Sequence, residues 1–182
     1  MTRITPNQNP NSEAQAMLAQ VKAALGSTPN IFTTMAHSPA TFGFYLQGSA
    51  ALGKSTLSVK LREQLALVVA GLNGCNYCAS AHTVLGGMQK IAESELALNL
   101  KGQSSDSKVQ AALGFASAIV TKHGRVNDAD FALVRSAGYT DGEIMDIIAV
   151  VGLNIFTNYF NEALGTVVDF PLVSTENITK AA

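Results

Sequence analysis

The chain has 182 residues and a mass of 19.0 kDa, enough for one domain with a substantial core. Hydrophobic residues make up 47% and charged residues only 14%, well below the ~25% charge of an ordinary globular chain, so apolar surface is expected to pack between subunits rather than stay bare. A formal net charge of -1 without a basic run excludes a nucleic-acid footprint, no stretch reaches the ~18 consecutive apolar residues of a membrane span, and the polar, Asn-rich start at 1–12 lacks the apolar run of a signal peptide.

In chain order, Ser12 with Gln15 resembles a capping box, and Ala14, Met17, Leu18, Val21 and Leu25 follow at helical spacing until Gly26. Ser38 before Pro39 supplies a cap and a first-turn proline for a second helix, with Phe42, Tyr45 and Leu46 inward. Ser58 caps the next helix, whose residues 65–70 are apolar all round, the pattern of a helix buried on every side. The break at 71–74 offers Asn73 as the cap of a helix from Cys75 to Leu85. Past Gly86 and Gly87 a short helix is expected near 94–100, then a polar loop at 102–107. A helix carrying Val109, Ala112, Leu113, Ala116 and Val120 follows, and stops at His123 and Gly124. Asn127 caps a short helix around Phe131 and Val134. Thr140 with Glu143 repeats the capping-box pattern before Ile144, Ile147, Ile148, Val151 and Ile155.

Periodicity fades after Asn161, and the tail is expected to wrap the surface or a neighbour. No run alternates as a strand does. The expected fold class is therefore all-α, a single-domain helical bundle at 12–171 with a flexible segment at 1–11 and a tail at 172–182. The tripeptide at 71–73 recurs at 152–154, weak evidence for a duplicated hairpin.

Two cysteines close together in a chain without an export signal are more often redox-active or metal-binding than structural staples, and a cytoplasmic location is the default. Cys75 and Cys78 stand one helical turn apart and His82 follows four residues later. At about 3.6 residues per turn the three share one helix face. Thiols so placed can close a local disulfide, and the helix start favours thiolate. A thiolate attacks a peroxide O–O bond to give a sulfenic acid, with which the neighbouring thiol condenses. His82 can accept the thiol proton or pair with the thiolate as imidazolium. Glu63, at the entrance of a nearly all-apolar helix, would exchange protons with the thiols if it faces them across the 71–74 break. Other readings of the same residues stay open: a zinc site with Glu63 as fourth ligand, inert buried thiols, or Glu63 as a plain surface residue. Tyr77 could line a substrate pocket or serve the core or an interface.

Glu63, Cys75, Cys78 and His82 together reproduce the pattern E-x11-C-x-x-C-x3-H, which resembles the signature of alkylhydroperoxidase D and its relatives. TPNIF at 28–32, MAHSP at 35–39, TNYFN at 157–161 and DFP at 169–171 resemble the peroxidase-related members of the carboxymuconolactone decarboxylase superfamily, so the likeness spans roughly 29–171. It implies an AhpD-like helical fold, a homo-oligomer, and reduction of organic hydroperoxides by a dithiol or thiol-protein donor, with no metal and no organic cofactor. It also implies Cys78 as the attacking thiol, Cys75 as its proton donor and disulfide partner, and Glu63 and His82 as a proton relay. Proximity to the helix start favours Cys75 as the more acidic thiol, whereas the His82 spacing favours Cys78; Cys78 is preferred. The decarboxylase branch lacks the cysteine pair, so lactone decarboxylation is not expected. Tyr77 departs from the pattern, since the best-studied members have a second histidine there. His37 is read as structural, His123 as a helix C-terminal cation, and Asn158 with Asn161 as satisfying buried backbone or an interface. The alternative function is a low-turnover thiol redox sensor or thiol–disulfide exchange protein.

Overall fold

A computed structural model describes residues 1–176. Among the described residues the chain forms nine helices and no strand: α1 (Ser12–Leu25), α2 (Asn30–Met35), α3 (Pro39–Leu52), α4 (Val59–Asn73), α5 (Asn76–Met88), α6 (Glu93–Asn99), α7 (Ser107–Thr121), α8 (Asp128–Ser136) and α9 (Asp141–Leu164).

The helix starts follow local side-chain chemistry. Ser38 accepts the Thr41 N–H ahead of Pro39, and Ser58 accepts the Leu61 N–H. Asn127 with Asp130, and Thr140 with Glu143, form reciprocal capping boxes. At α1 the cap is Asn11 rather than Ser12, its carboxamide accepting the Ala14 N–H. Asn caps at least as well as Ser, and standing one residue earlier it leaves Ser12 inside the helix.

α4 is the central helix. Leu61, Leu65, Val68 and Val69 face α7, α8 and the first half of α9 in one core cluster. Leu67 and Ala70 face the other way, toward α1, α2, α3, α5 and α6, in a second. A helix between two cores has no solvent side, which accounts for the all-round apolar run at 65–70. α9 is also long and apolar enough to cross a membrane by length and composition. Its Ile144, Ile147, Val150 and Val151 are nevertheless packed in the α4 core, as in a core helix.

Two expected breaks move. Gly74, at φ 69, ends α4 in the left-handed conformation and returns its N–H to the Ala70 and Gly71 carbonyls. Asn73 therefore stays inside α4, and Cys75, not Asn73, caps α5. The pair Gly86–Gly87 does not stop α5, which runs on to Met88. Gly86 is buried against Leu96 of α6, and that packing overrides the low helix propensity of glycine.

Residues 1–11 and the described part of the tail are tied down. Residues 1–11, expected to be flexible, are anchored at the C-terminus of α9. The Arg3 N–H donates to the Leu164 carbonyl at 2.7 Å and its guanidinium to the carbonyls of Glu162 and Ala163, which neutralises the negative end of that helix. His37 Nε2 lies 3.0 Å from the Thr5 carbonyl in the same segment. α9 itself continues past Asn161 to Leu164. After Gly165 the tail crosses α2 and α5: Asp169 accepts the Asn30 N–H at 2.7 Å, Ser80 Oγ accepts the Val173 N–H, and Asn76 Oδ1 accepts both the N–H and the hydroxyl of Thr175. The repeated tripeptide falls in unlike places, at the end of α4 and in the middle of α9.

Candidate active site

The turn at Gly74 makes Cys75 the N-cap of α5, in extended conformation, and its sulfur accepts the Cys78 N–H at 3.4 Å. A thiol thus takes the place that a Ser or Asp oxygen holds in most caps. Cys78 is the third residue of the helix, inside the first turn, where unpaired N–H groups and the helix dipole favour negative charge. Both thiols are unbridged and buried.

The two thiols are pushed in opposite directions by each other. The Cys75 thiol hydrogen-bonds the Cys78 sulfur, and this bond is the largest influence holding Cys78 well below the ordinary thiol value. Burial opposes it, while the charge of His82 and the amides of Asn161 and Asn158 add to it. Cys75 is driven the opposite way, first by donating that bond and then by burial. Of the two, Cys78 is the thiol whose ionised form the surroundings favour.

His82 lies one turn beyond Cys78, and its Nδ1 sits 2.7 Å from Glu63 Oε2. The side chains are 21% and 17% exposed, so the pair is largely withdrawn from water. Burial alone would lower the imidazole pKa. The carboxylate of Glu63 outweighs it, the Cys78 thiolate and Asn154 assist, and the net direction is upward. A direct proton exchange between Glu63 and the thiols requires that it face them across the 71–74 break. In the antiparallel α4–α5 hairpin it stands level with His82, whereas the cysteines sit at the closed end, so its carboxylate meets the imidazole rather than a sulfur. Tyr45 of α3 adds a hydroxyl that burial, then the charges of Glu63 and Cys78, push up to about 12, so it remains protonated.

Tyr77 points away from this chemistry. Its hydroxyl accepts the Ile31 N–H at 3.1 Å and its ring meets Phe170 edge-on at 5.7 Å. It anchors α2 and the tail onto α5, the core role among the two open for it. His123 follows α7 at φ 53, outside the site.

The fourth wall comes from α9. Asn154, Asn158 and Asn161 recur at i, i+4 and i+7 and form one buried stripe. Asn161 Nδ2 donates to Cys78 Sγ at 3.3 Å, and Asn158 Oδ1 accepts from Asn73 Nδ2 at 3.0 Å. Asn154 donates to the Val150 carbonyl at 2.9 Å and hydrogen-bonds His82. Asn158 and Asn161 were expected to satisfy buried backbone or an interface; they face the thiols instead. Asn154 and Tyr45 were not anticipated as site residues. The one available signal was the helical spacing of three carboxamides along an otherwise apolar helix.

Residues 39–122 match the model of the Carboxymuconolactone decarboxylase family, and that span contains Glu63, Cys75, Cys78 and His82. Solved structures share the fold of this chain. An uncharacterized peroxidase-related protein from Silicibacter sp. TM1040 superposes with a TM-score of 0.81 at 24% identity, over 98% of this chain and 94% of that one. The alkylhydroperoxidase AhpD core of a peroxidase-related protein from Ralstonia eutropha JMP134 gives 0.79 at 23%, over 93% and 89%. The debrominase Bmp8 in its apo form gives 0.79 at 20%, over 93% of each chain. At these identities the likeness shows the fold, which is AhpD-like. Comparison with curated proteins gives no match. The matched span holds Cys75, Cys78, His82 and Glu63, whereas the amide stripe of α9 lies beyond it.

A separate cavity of about 320 Å³ opens between Leu57, Lys60, Gln64, Lys108 and Tyr139. It touches neither cysteine nor His82.

Proposed function

We propose that the protein is a thiol-dependent peroxidase that reduces organic hydroperoxides through a Cys75/Cys78 dithiol–disulfide cycle. The observation that carries this reading is the geometry of the thiol pair: Cys75 caps α5 with its sulfur on the Cys78 N–H, Cys78 lies in the first turn with its sulfur on the Asn161 amide, and the His82–Glu63 pair stands one turn away. The Cys78 thiolate attacks the terminal peroxide oxygen; the S–O bond forms as the O–O bond breaks. The departing alkoxide takes a proton from the His82 imidazolium and leaves as alcohol. Cys75 then attacks the Cys78 sulfenic acid, the S–S bond forms, and water leaves with the Cys75 proton. An external dithiol or thiol protein restores the pair. Glu63 keeps His82 charged for the first proton transfer, and Tyr45, protonated throughout, closes the far side. No metal or organic cofactor enters the cycle, and the reducing cytoplasm is where it would turn over.

The same reading includes a homo-oligomer, since Phe44, Met145 and Tyr159 remain more than half exposed, and apolar surface of that kind marks contact between copies. Sedimentation that gives a monomer would remove this part.

The test is consumption of cumene hydroperoxide by the reduced protein with excess dithiol. Cys78→Ser is expected to abolish it, and Cys75→Ser to stall at a sulfenic acid trapped by dimedone. Consumption no faster than Cys78→Ser refutes the peroxidase. One disulfide formed without turnover by any dithiol would make the protein a redox sensor. Because one relative is named a debrominase complexed with 2,3,4-tribromopyrrole, that compound is run beside the hydroperoxide. Turnover of it alone would reassign the substrate.

A further inference from the structure

The stripe on α9 leaves two hydrogen-bonding atoms unused beside the reactive sulfur. Asn161 commits Nδ2 to Cys78, while its Oδ1 has no partner among the described residues. Asn158 commits Oδ1 to Asn73, while its Nδ2 has none. Both side chains are at most 2% exposed, so water does not satisfy them from outside. A buried polar atom without a partner is unfavourable, and buried carboxamides in folded proteins are normally paired. Here one orphan is an acceptor and the other a donor. They sit about one turn apart on the same helix face, and Asn161 holds the Cys78 sulfur directly.

That pattern has a chemical complement. A hydroperoxide carries one O–H donor on the oxygen a thiolate attacks and one acceptor on the oxygen that departs. We propose, resting on the peroxidase reading above, that Asn158 and Asn161 are catalytic residues that form the recognition site for the –O–O–H group. Asn161 Oδ1 accepts the O–H of the terminal oxygen and brings that oxygen onto Cys78, whose sulfur Asn161 Nδ2 already holds. Asn158 Nδ2 donates to the second oxygen, on which negative charge develops as the O–O bond breaks. This is an oxyanion hole made of one amide, with its acceptor face fixed by Asn73 so that the donor is pre-aimed.

The bond changes remain those of the cycle. Sulfur is oxidised from thiolate to sulfenic acid, the peroxide is reduced to alkoxide, and the alkoxide proton comes from His82. The O–H stays on the transferred oxygen throughout, so its acceptor is useful in the ground state, the transition state and the sulfenic acid. The substrate class follows: hydroperoxides, which have that hydrogen, rather than dialkyl peroxides or ethers, which do not.

The experiment compares two reactions of the same thiolate. Iodoacetamide alkylation reports Cys78 nucleophilicity without an O–O bond; oxidation by tert-butyl hydroperoxide reports nucleophilicity and recognition together. Asn158→Asp, close in shape, and Asn158→Ala are expected to lower the ratio of oxidation to alkylation rate by about 100-fold, the order lost with one oxyanion-hole donor. Binding to the Cys78→Ser protein is measured alongside, so the inference does not depend on those variants folding. tert-Butyl hydroperoxide is expected to bind at least about tenfold tighter than tert-butyl methyl ether, which has the same outline without the O–H. Ratios at the wild-type value in folded Asn158 variants, or equal binding of the two compounds, overturn the subsite while leaving the peroxidase intact. A wild type inert to every hydroperoxide overturns the peroxidase reading and the subsite with it.

Discussion

Glu63→Gln removes one charge from the site and keeps the outline of the side chain. The carboxylate lies 2.7 Å from His82 Nδ1, and the two side chains are only 17% and 21% exposed. The amide can still accept a hydrogen bond from the ring. What is lost is the difference between a charged hydrogen bond, roughly 1.5–3 kcal/mol, and a neutral one, roughly 0.5–1.5 kcal/mol. That difference, about 1–2 kcal/mol, corresponds to a factor of about 5–30. It sets the ceiling on the loss in peroxide rate at pH 7, because the thiolate feels Glu63 only through the imidazolium. Two assays read it: the pH titration of the His82 ring proton by NMR, and the second-order rate of Cys78 oxidation from pH 5 to 9. The ring is expected to titrate at lower pH in the variant, and the rate to fall most where wild-type His82 is charged and the variant is not. The stability effect has a defined sign. The fold raises the pKa of His82, so the pair's contribution is fully present below the unfolded value of about 6.5 and is lost as pH rises through the folded value. The difference in unfolding midpoint between wild type and variant should therefore shrink toward pH 9. A His82 titration that does not move, or that moves upward, would refute the assignment of Glu63 as the group that holds the imidazolium.

Three further outcomes are expected. Gly71→Ala drives a Cβ into the backbone carbonyl oxygen of Leu100; α6 must shift, and urea denaturation should show a loss of about 1–3 kcal/mol, whereas an unchanged midpoint would place α6 elsewhere. Asn76→Ala removes the acceptor of both Thr175 bonds, at 2.9 and 2.8 Å, so the tail should loosen over α5 and iodoacetamide should reach the thiols faster; an unchanged alkylation rate would show that the tail does not cover them. Glu95→Gln concerns acid stability: against the opposing effect of burial, hydrogen bonds from Ser104, Ser105 and Asn99 bring this carboxyl down to about 2. Its contribution is present above the unfolded value of about 4.3 and is lost as pH falls through about 2, so the variant should be destabilised at pH 7 and match wild type near pH 2 in thermal melts.

Much of the fold was legible because helix starts are local. Ser38, Ser58, Asn127 and Thr140 cap where their positions predict, since a cap needs only its own side chain and the next turn of backbone. The turn at 71–74 and the end of α5 were misplaced for opposite reasons. At Gly74 a single left-handed residue completes the break, leaving no place for Asn73 as a cap. At Gly86 contact with Leu96 outweighs the propensity of a glycine pair to stop a helix. The asparagines of α9 were the larger gap. Their spacing was visible, but an amide at i, i+4 and i+7 may equally face solvent, backbone or a thiol; the roll of α9 against α4 and α5 makes the choice.

The sequence by itself determined that Cys78 and His82 share one face of α5, because residues four apart on a helix lie together whatever surrounds them; Cys75 stands beside Cys78 as the cap of that helix rather than as a member of the face. Tertiary structure alone decided that Glu63 meets the imidazole and not a sulfur, and that three carboxamides close the site from α9. Both depend on how two helices cross, and the crossing is set by the side chains that fill the cores around α4, not by any residue of the site itself.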